Sequence, residues 1–274
     1  MNLPCTLVML YSCFTFPEQT DRVFLKVREA PSNAKGGSEL LQPILQDDVK
    51  IREAKILEWF EQGNFPNSLS RFKAVQVQEQ GHRLVYWVMS DYLALGTDED
   101  SVLMPLSWTA VKTLAKSWHM LLPTTKMVDQ IYQQARRIHW PHAYPPDDAM
   151  RSTSYLLNHN AWIKGMTQLE FMDHPLIAGH KKDLVVSQRL LSKPNRLAIY
   201  GWHNLGNGAA IQPLSTWHGN FYVDYSHGIR MVAPEAELDG RMVLLREVLK
   251  DPRLAPLISF EGAFDVCQVL EYEC

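Results

Sequence analysis

Proline and glycine divide the sequence into two textures that meet near Pro175. Before that point apolar residues recur at helical spacing. Trp108, Val111, Leu114, Ala115 and Trp118 follow Ser107 and form one amphipathic stripe; Val128, Ile131, Ala135 and Ile138 form another between Thr124-Thr125 and Pro141. An earlier helix is expected from Asp47 or Asp48, turning Val49, Ile56, Leu57 and Phe60 to one side and stopping at Gly63-Asn64. A further helix should carry Leu156 and Leu157. One hairpin interrupts this half: Val75 and Val77 alternate with Gln76 and Gln78, Gly81-His82 supplies a turn, and 84–89 is β-prone. After Pro175, short β-prone runs at 183–187, 196–200, 209–214, 221–225 and 229–233 are separated by turn residues, and Asp239-Gly240 is expected to open a last helix through Leu249. The order implies an α+β fold in which a helical N-terminal half packs on a mostly antiparallel β-sheet formed by the C-terminal half.

The chain has 274 residues, 46% of them hydrophobic, enough for one substantial core. We read 47–274 as a single α+β domain, helical over about 47–174 and β-rich over about 175–274. Residues 1–46 are read as an N-terminal extension with a polar linker, or as an export segment. Met1 to Phe16 is apolar and of signal-peptide length, but no Lys or Arg precedes it, so a cytoplasmic location is favoured over a periplasmic or secreted one. Lys+Arg 27 against Asp+Glu 30 gives a net charge of -3, without the basic footprint of a nucleic-acid binder. No apolar run approaches the ~18 to 20 residues of a transmembrane helix. The reading is of a soluble globular protein. Cys5, Cys13, Cys267 and Cys274 form no CxxC pair, which removes zinc-finger and thioredoxin-type chemistry and leaves disulfides or free thiols open.

Ionisable groups gather with Gly and aromatics in three clusters: Gly179-His180-Lys181-Lys182-Asp183, Tyr200-Gly201-Trp202-His203, and Trp217 through Arg230. Each lies at a predicted strand end, where side chains from several strands can converge. Two chemical readings stay open. In one, the imidazoles of His203, His218 and His227 with Asp224 or Asp183 hold Zn²⁺ and leave a position for activated water. In the other, a histidine is a general base oriented by Asp224, Ser226 or water attacks a carbonyl-like centre, and Arg230 and Lys182 clamp an anionic group. Trp202, Tyr225 and Ser226 are placed as substrate contacts, and His180 and Asp183 as supporting groups. Ser226 and His227 are neighbours and point to opposite faces of a strand, so they are not themselves a dyad. The absence of HExxH and GxSxG removes those two assignments.

GHKKD at 179–183, IYGWH at 199–203, IQPLS at 211–215 and DYSHGIR at 224–230, with DYLALG at 91–96 and LPTTKMVDQIY at 122–132, resemble a bacterial family of uncharacterised proteins over about 50–235. The resemblance implies one domain and no named activity. His218-Gly219 followed by Ser226-His227-Gly228-Ile229-Arg230 is also partly similar to the L,D-transpeptidases, with Ile229 where that family carries its nucleophilic cysteine. The expectation is a hydrolase or transferase acting on a small molecule, or on a peptide or glycan of cell-wall type. The alternative is a non-catalytic binding module for a sugar, peptide or anionic ligand.

Overall fold

The computed structural model describes residues 21–24, 34–166 and 174–274. In chain order the elements are β1 (Arg22–Val23), α1 (Gly37–Leu41), α2 (Val49–Glu61), β2 (Arg71–Glu79), β3 (His82–Val88), β4 (Ala94–Gly96), β5 (Ser101–Leu103), α3 (Trp108–Trp118), α4 (Thr125–Gln134), β6 (Arg137–Ile138), α5 (Thr153–Met166), β7 (Ile177–Ala178), β8 (Lys182–Leu184), β9 (Ile199–His203), β10 (Ala210–Ser215), β11 (His227–Gly228), β12 (Val232–Leu238), β13 (Arg241–Leu244), α6 (Leu245–Lys250) and α7 (Val266–Leu270). The export reading, Cys5 and Cys13 fall outside the described residues.

The helices begin where their caps lie. Asp48, Ser107 and Thr124 each accept an N–H from the first turn of α2, α3 and α4. α3 buries Trp108, Val111, Leu114, Ala115 and Trp118, the whole stripe. α4 ends at Gln134, earlier than its stripe suggested. The Gln134 amide accepts the Gln76 N–H and donates to the Gln76 carbonyl, both at 2.9 Å, which fixes the helix end against β2 and frees Arg137–Ile138 to pair in parallel with β7.

The fold is mixed α+β, with sheet structure that begins early in the chain and uses both ends of it. A five-stranded sheet has the order β1-β2-β3-β12-β13, and a four-stranded sheet the order β10-β9-β8-β11. The expected division into a helical half and a sheet half therefore does not describe the strands. β3 is the reason: five consecutive residues, Leu84 to Val88, are buried, so the strand needs a partner on each side and takes β2 and β12. Asp239-Gly240 opens no helix. Both residues have positive φ, 50° and 81°, and turn β12 into β13, with α6 starting only at Leu245. Residues 221–225 are turn and irregular chain, not strand. Residues 37–44, read as linker, bury Leu40, Leu41 and Ile44 in the one large apolar cluster that also holds Phe60, Tyr86, Trp108 and Val232. Cys267 and Cys274 form a disulfide.

Candidate functional site

Two short strands set the geometry. β11 pairs in parallel with β8, matching His227 to Lys182 and Gly228 to Asp183. Residues paired in register share a face and neighbours in a strand alternate, so Lys182 and His227 stand on one side of the sheet and Asp183 on the other. Gly228 permits this closeness. A Cβ there would lie 2.6 Å from Lys181 Cβ and 2.7 Å from Tyr92 Cδ1.

On the Lys182 side, the chain from His218 to His227 folds around one carboxylate. Asp224 Oδ1 accepts the Ser226 N–H at 2.7 Å and the Ser226 hydroxyl at 2.6 Å, and Oδ2 accepts the Tyr222 hydroxyl at 2.9 Å. His227 Nε2 lies 3.9 Å from Oδ2, beyond hydrogen-bond range. The His227 ring is 1% exposed and neither ring nitrogen has a partner. Tyr222 stacks on the half-buried His218 with ring centroids 3.9 Å apart, and the His218 and His227 centroids are separated by 6.5 Å. Lys182 Nζ lies 4.5 Å from the centre of the Trp202 ring. Lys182, His218 and Tyr222 are part-exposed and form a rim, with Asp224 and His227 buried beneath it.

Burial decides the charge states. Desolvation lowers the His227 pKa to about 4 against the pull of Asp224, so the imidazole is neutral at pH 7. Burial works against the Asp224 charge as well, but the His227 ring, the two Ser226 hydrogen bonds and Lys182 outweigh it and hold the pKa at about 2. Burial lowers the Lys182 pKa, and Asp224 opposes the shift.

The opposite side is a separate buried network. Arg230 is fully buried and donates to the Met89 and Ile177 carbonyls, both at 2.6 Å, with its guanidinium 4.5 Å from the Tyr92 ring centre. A group so committed cannot clamp a substrate anion, and that expected role is corrected. Tyr92 donates to Asp183 Oδ2 at 2.8 Å, and burial raises the pKa of Asp183 and Asp91 to about 6 despite Arg230. His180 is fully buried with both ring nitrogens unpartnered, its Nε2 3.6 Å from Asp91 Oδ1.

The remaining expected residues disperse. His203 Nε2 is 2.9 Å from Asp129 Oδ1, the Tyr200 hydroxyl donates to the same carboxylate, and Tyr132 stacks on His203 at 4.2 Å. His203 therefore belongs to a second pair, not to the Asp224 turn. Tyr225 is buried; its hydroxyl accepts the Tyr144 N–H at 2.7 Å, and its carbonyl accepts from Lys181 Nζ at 2.5 Å. The Ser226 hydroxyl is spent on Asp224. Among the described residues no group of three or more His, Cys, Asp or Glu side chains is placed to hold a metal ion, so the set His203, His218, Asp224 and His227 is not assembled as zinc ligands.

Sequence reasoning missed Tyr222 as an Asp224 partner, although it lies in the same cluster. It also missed the roles of Asp129, Asp91 and Tyr92, which sit on a helix and a loop far along the chain, inside the LPTTKMVDQIY and DYLALG segments but outside the three ionisable clusters. No helix among the described residues is long and apolar enough to cross a membrane. Compared with family models, with curated proteins and with solved structures, the chain shows no match.

Proposed function

We propose that this chain is a hydrolase or transferase in which His227, oriented by Asp224, is the general base. The observation that carries the reading is a buried imidazole with no hydrogen-bond partner on either nitrogen, 3.9 Å from a carboxylate that accepts hydrogen bonds from Ser226 and Tyr222. Leaving buried polar atoms unmade costs about 1–3 kcal/mol, and such sites concentrate where chemistry needs a free lone pair. His227 takes a proton from water or from an acceptor hydroxyl, whose oxygen attacks an acyl carbonyl. The bond to the leaving group then breaks, and the imidazolium returns the proton to it. Closing the 3.9 Å gap to Asp224 raises the imidazole basicity as the cation forms. Lys182 and His218, at the rim, face the anionic part of a peptide, glycan or small-molecule substrate. Ile229 is buried where the L,D-transpeptidase-like pattern would place a thiol, so the nucleophile in this reading is not a side chain of that strand.

The test is turnover on panels of ester and amide reporters by the wild-type chain and His227→Gln. The expected result is an activity that falls by about a hundredfold or more in the variant at unchanged melting temperature. A base must be unprotonated, so the rate should hold at neutral pH and be lost as pH falls through about 4, where His227 gains its proton. A rate indifferent to His227→Gln would remove the proposal, and ligand binding without turnover in both proteins would favour the binding module.

A further inference from the structure

Beside the Asp224 turn lies a shallow groove of about 540 Å³ lined by Lys193, Pro194, Asn195, Arg196, Thr216 and Trp217, a volume within the range of small-ligand pockets. Trp217 is 80% exposed, and its indole stacks on no other ring among the described residues. The loop beneath it is nevertheless fixed: Arg196 donates to the Trp217 carbonyl at 2.5 Å, Lys193 donates to the Thr216 hydroxyl at 3.0 Å, and the Asn220 N–H donates to the Asn195 carbonyl at 3.0 Å. Holding a large flat apolar ring in water on a braced loop is the arrangement of a stacking platform.

Charge gives the ligand its sign. Lys193 and Arg196 make no ion pair among the described residues, in a chain whose net charge is -3. Their field continues toward the proposed reaction centre. The His218 pKa is lowered by burial first, against Asp224, and then by both Lys182 and Arg196, so both cations act on the His218 ring. A strip of positive charge thus runs from the Trp217 groove to Lys182 at the rim, where the ionised Asp224 partly offsets it. Asn195 adds an exposed amide whose side chain makes no hydrogen bond among the described residues, suited to reading hydroxyl groups.

We infer that the Trp217 groove binds a carboxylated saccharide: the apolar face of a sugar ring lies on the indole, Asn195 meets its hydroxyls, and Arg196 and Lys193 meet its carboxylates. The inference rests on His227 and Asp224 as the reacting pair only for its direction, since the strip would lead the bound chain toward them. A single-stranded nucleic acid also stacks on aromatics, but it needs a longer cationic track than two side chains provide.

The experiment is calorimetric titration of the full chain with tetragalacturonate, with neutral cellotetraose, and with a short single-stranded oligothymidylate. Tetragalacturonate should saturate below about 10 mM, bind at least about threefold tighter than cellotetraose, and weaken with added salt. Trp217→Ala should weaken it about tenfold, and Arg196→Gln and Lys193→Gln about threefold each. These side chains are exposed, and unchanged melting temperatures would show that the variants fold. Unchanged affinity in Trp217→Ala, no saturation, or tighter binding of the oligothymidylate overturns the inference. The same titration with His227→Gln separates the two readings. Intact binding with lost turnover sustains both; lost groove binding with intact reporter turnover removes only the groove; and intact binding with turnover indifferent to His227 removes only the chemistry.

Discussion

Gly228 sits where the backbone of β11 passes between Lys181 and the Tyr92 ring, and a methyl group would have to displace both. The Lys181 atom in the way is its Cβ, which cannot swing aside as a chain end could. Gly228→Ala should therefore destabilise the protein by about 2 kcal/mol or more, measured as a shift in the denaturant midpoint at constant slope. A change below about 0.5 kcal/mol would mean that β8 and β11 are further apart than described. At this scale the sequence was informative about local chemistry. The stretch from His218 to His227 places Asp224 and His227 3.9 Å apart, because an i, i+3 turn brings the two side chains near each other. Arg230 was placed wrongly for a physical reason: a guanidinium near histidines reads as an anion clamp until its five donors are counted against buried carbonyls, and those carbonyls come from Met89 and Ile177, remote in the chain.

Among the elements, α3 depends on one hydroxyl with two duties. Ser107 Oγ accepts the Ala110 N–H at 3.3 Å and donates to Glu53 Oε2 at 2.7 Å, while the Ser107 N–H also donates to Glu53. Burial raises the Glu53 pKa, and these two donors oppose the shift. Ser107→Ala should cost about 1–2 kcal/mol for the lost cap, with a further loss as Glu53 gives up a buried partner. Thermal unfolding of Ser107→Ala beside Ser107→Thr checks this, and equal melting temperatures for wild type and Ser107→Ala would refute it. Caps and stripes were legible because they are written within a dozen residues, as at Asp48, Ser107 and Thr124. The hairpin of β2 and β3 was legible for the same reason. Strand partners were not: β12 lies beside β3 through pairs such as Leu84 with Leu238, and nothing local announces such a pairing. The Asp239-Gly240 turn was misread because Asp also begins helices, and only the paired strands on either side decide between the two.

For the whole molecule, the balance of buried acids and imidazoles sets the response to pH. His139, His159, His180 and His227 are all buried, and desolvation lowers each of their pKa values, those of His139 and His227 to about 4. Between the folded and unfolded values the unfolded chain binds more protons, so stability from these groups is present above about pH 6.5 and lost as pH falls through about 4. Asp91 and Asp183, raised to about 6, act in the opposite direction over the carboxylate range, where the folded state binds the extra proton. The four imidazoles outweigh these two carboxyls and Glu53, which burial also raises, and leave a net loss of stability between pH 7 and about pH 4.5. Melting temperatures at the two pH values measure it, and a protein no less stable at the lower pH would contradict the assignment.

His227–Gly228 closes one sheet and Val232 opens the other, so a connection of three residues is all that separates them. It is fastened on both flanks: the Ile229 carbonyl accepts the Leu93 N–H, the Met231 carbonyl accepts the Met89 N–H, and the Arg230 fork grips two more carbonyls. The junction between the two sheets is thus held from both sides. The lobe that carries His218 and Tyr222 is pinned too, its Asn220 N–H to the Asn195 carbonyl and its His218 carbonyl to the Leu197 N–H, so the wall in front of the hidden imidazole is anchored like the scaffold behind it.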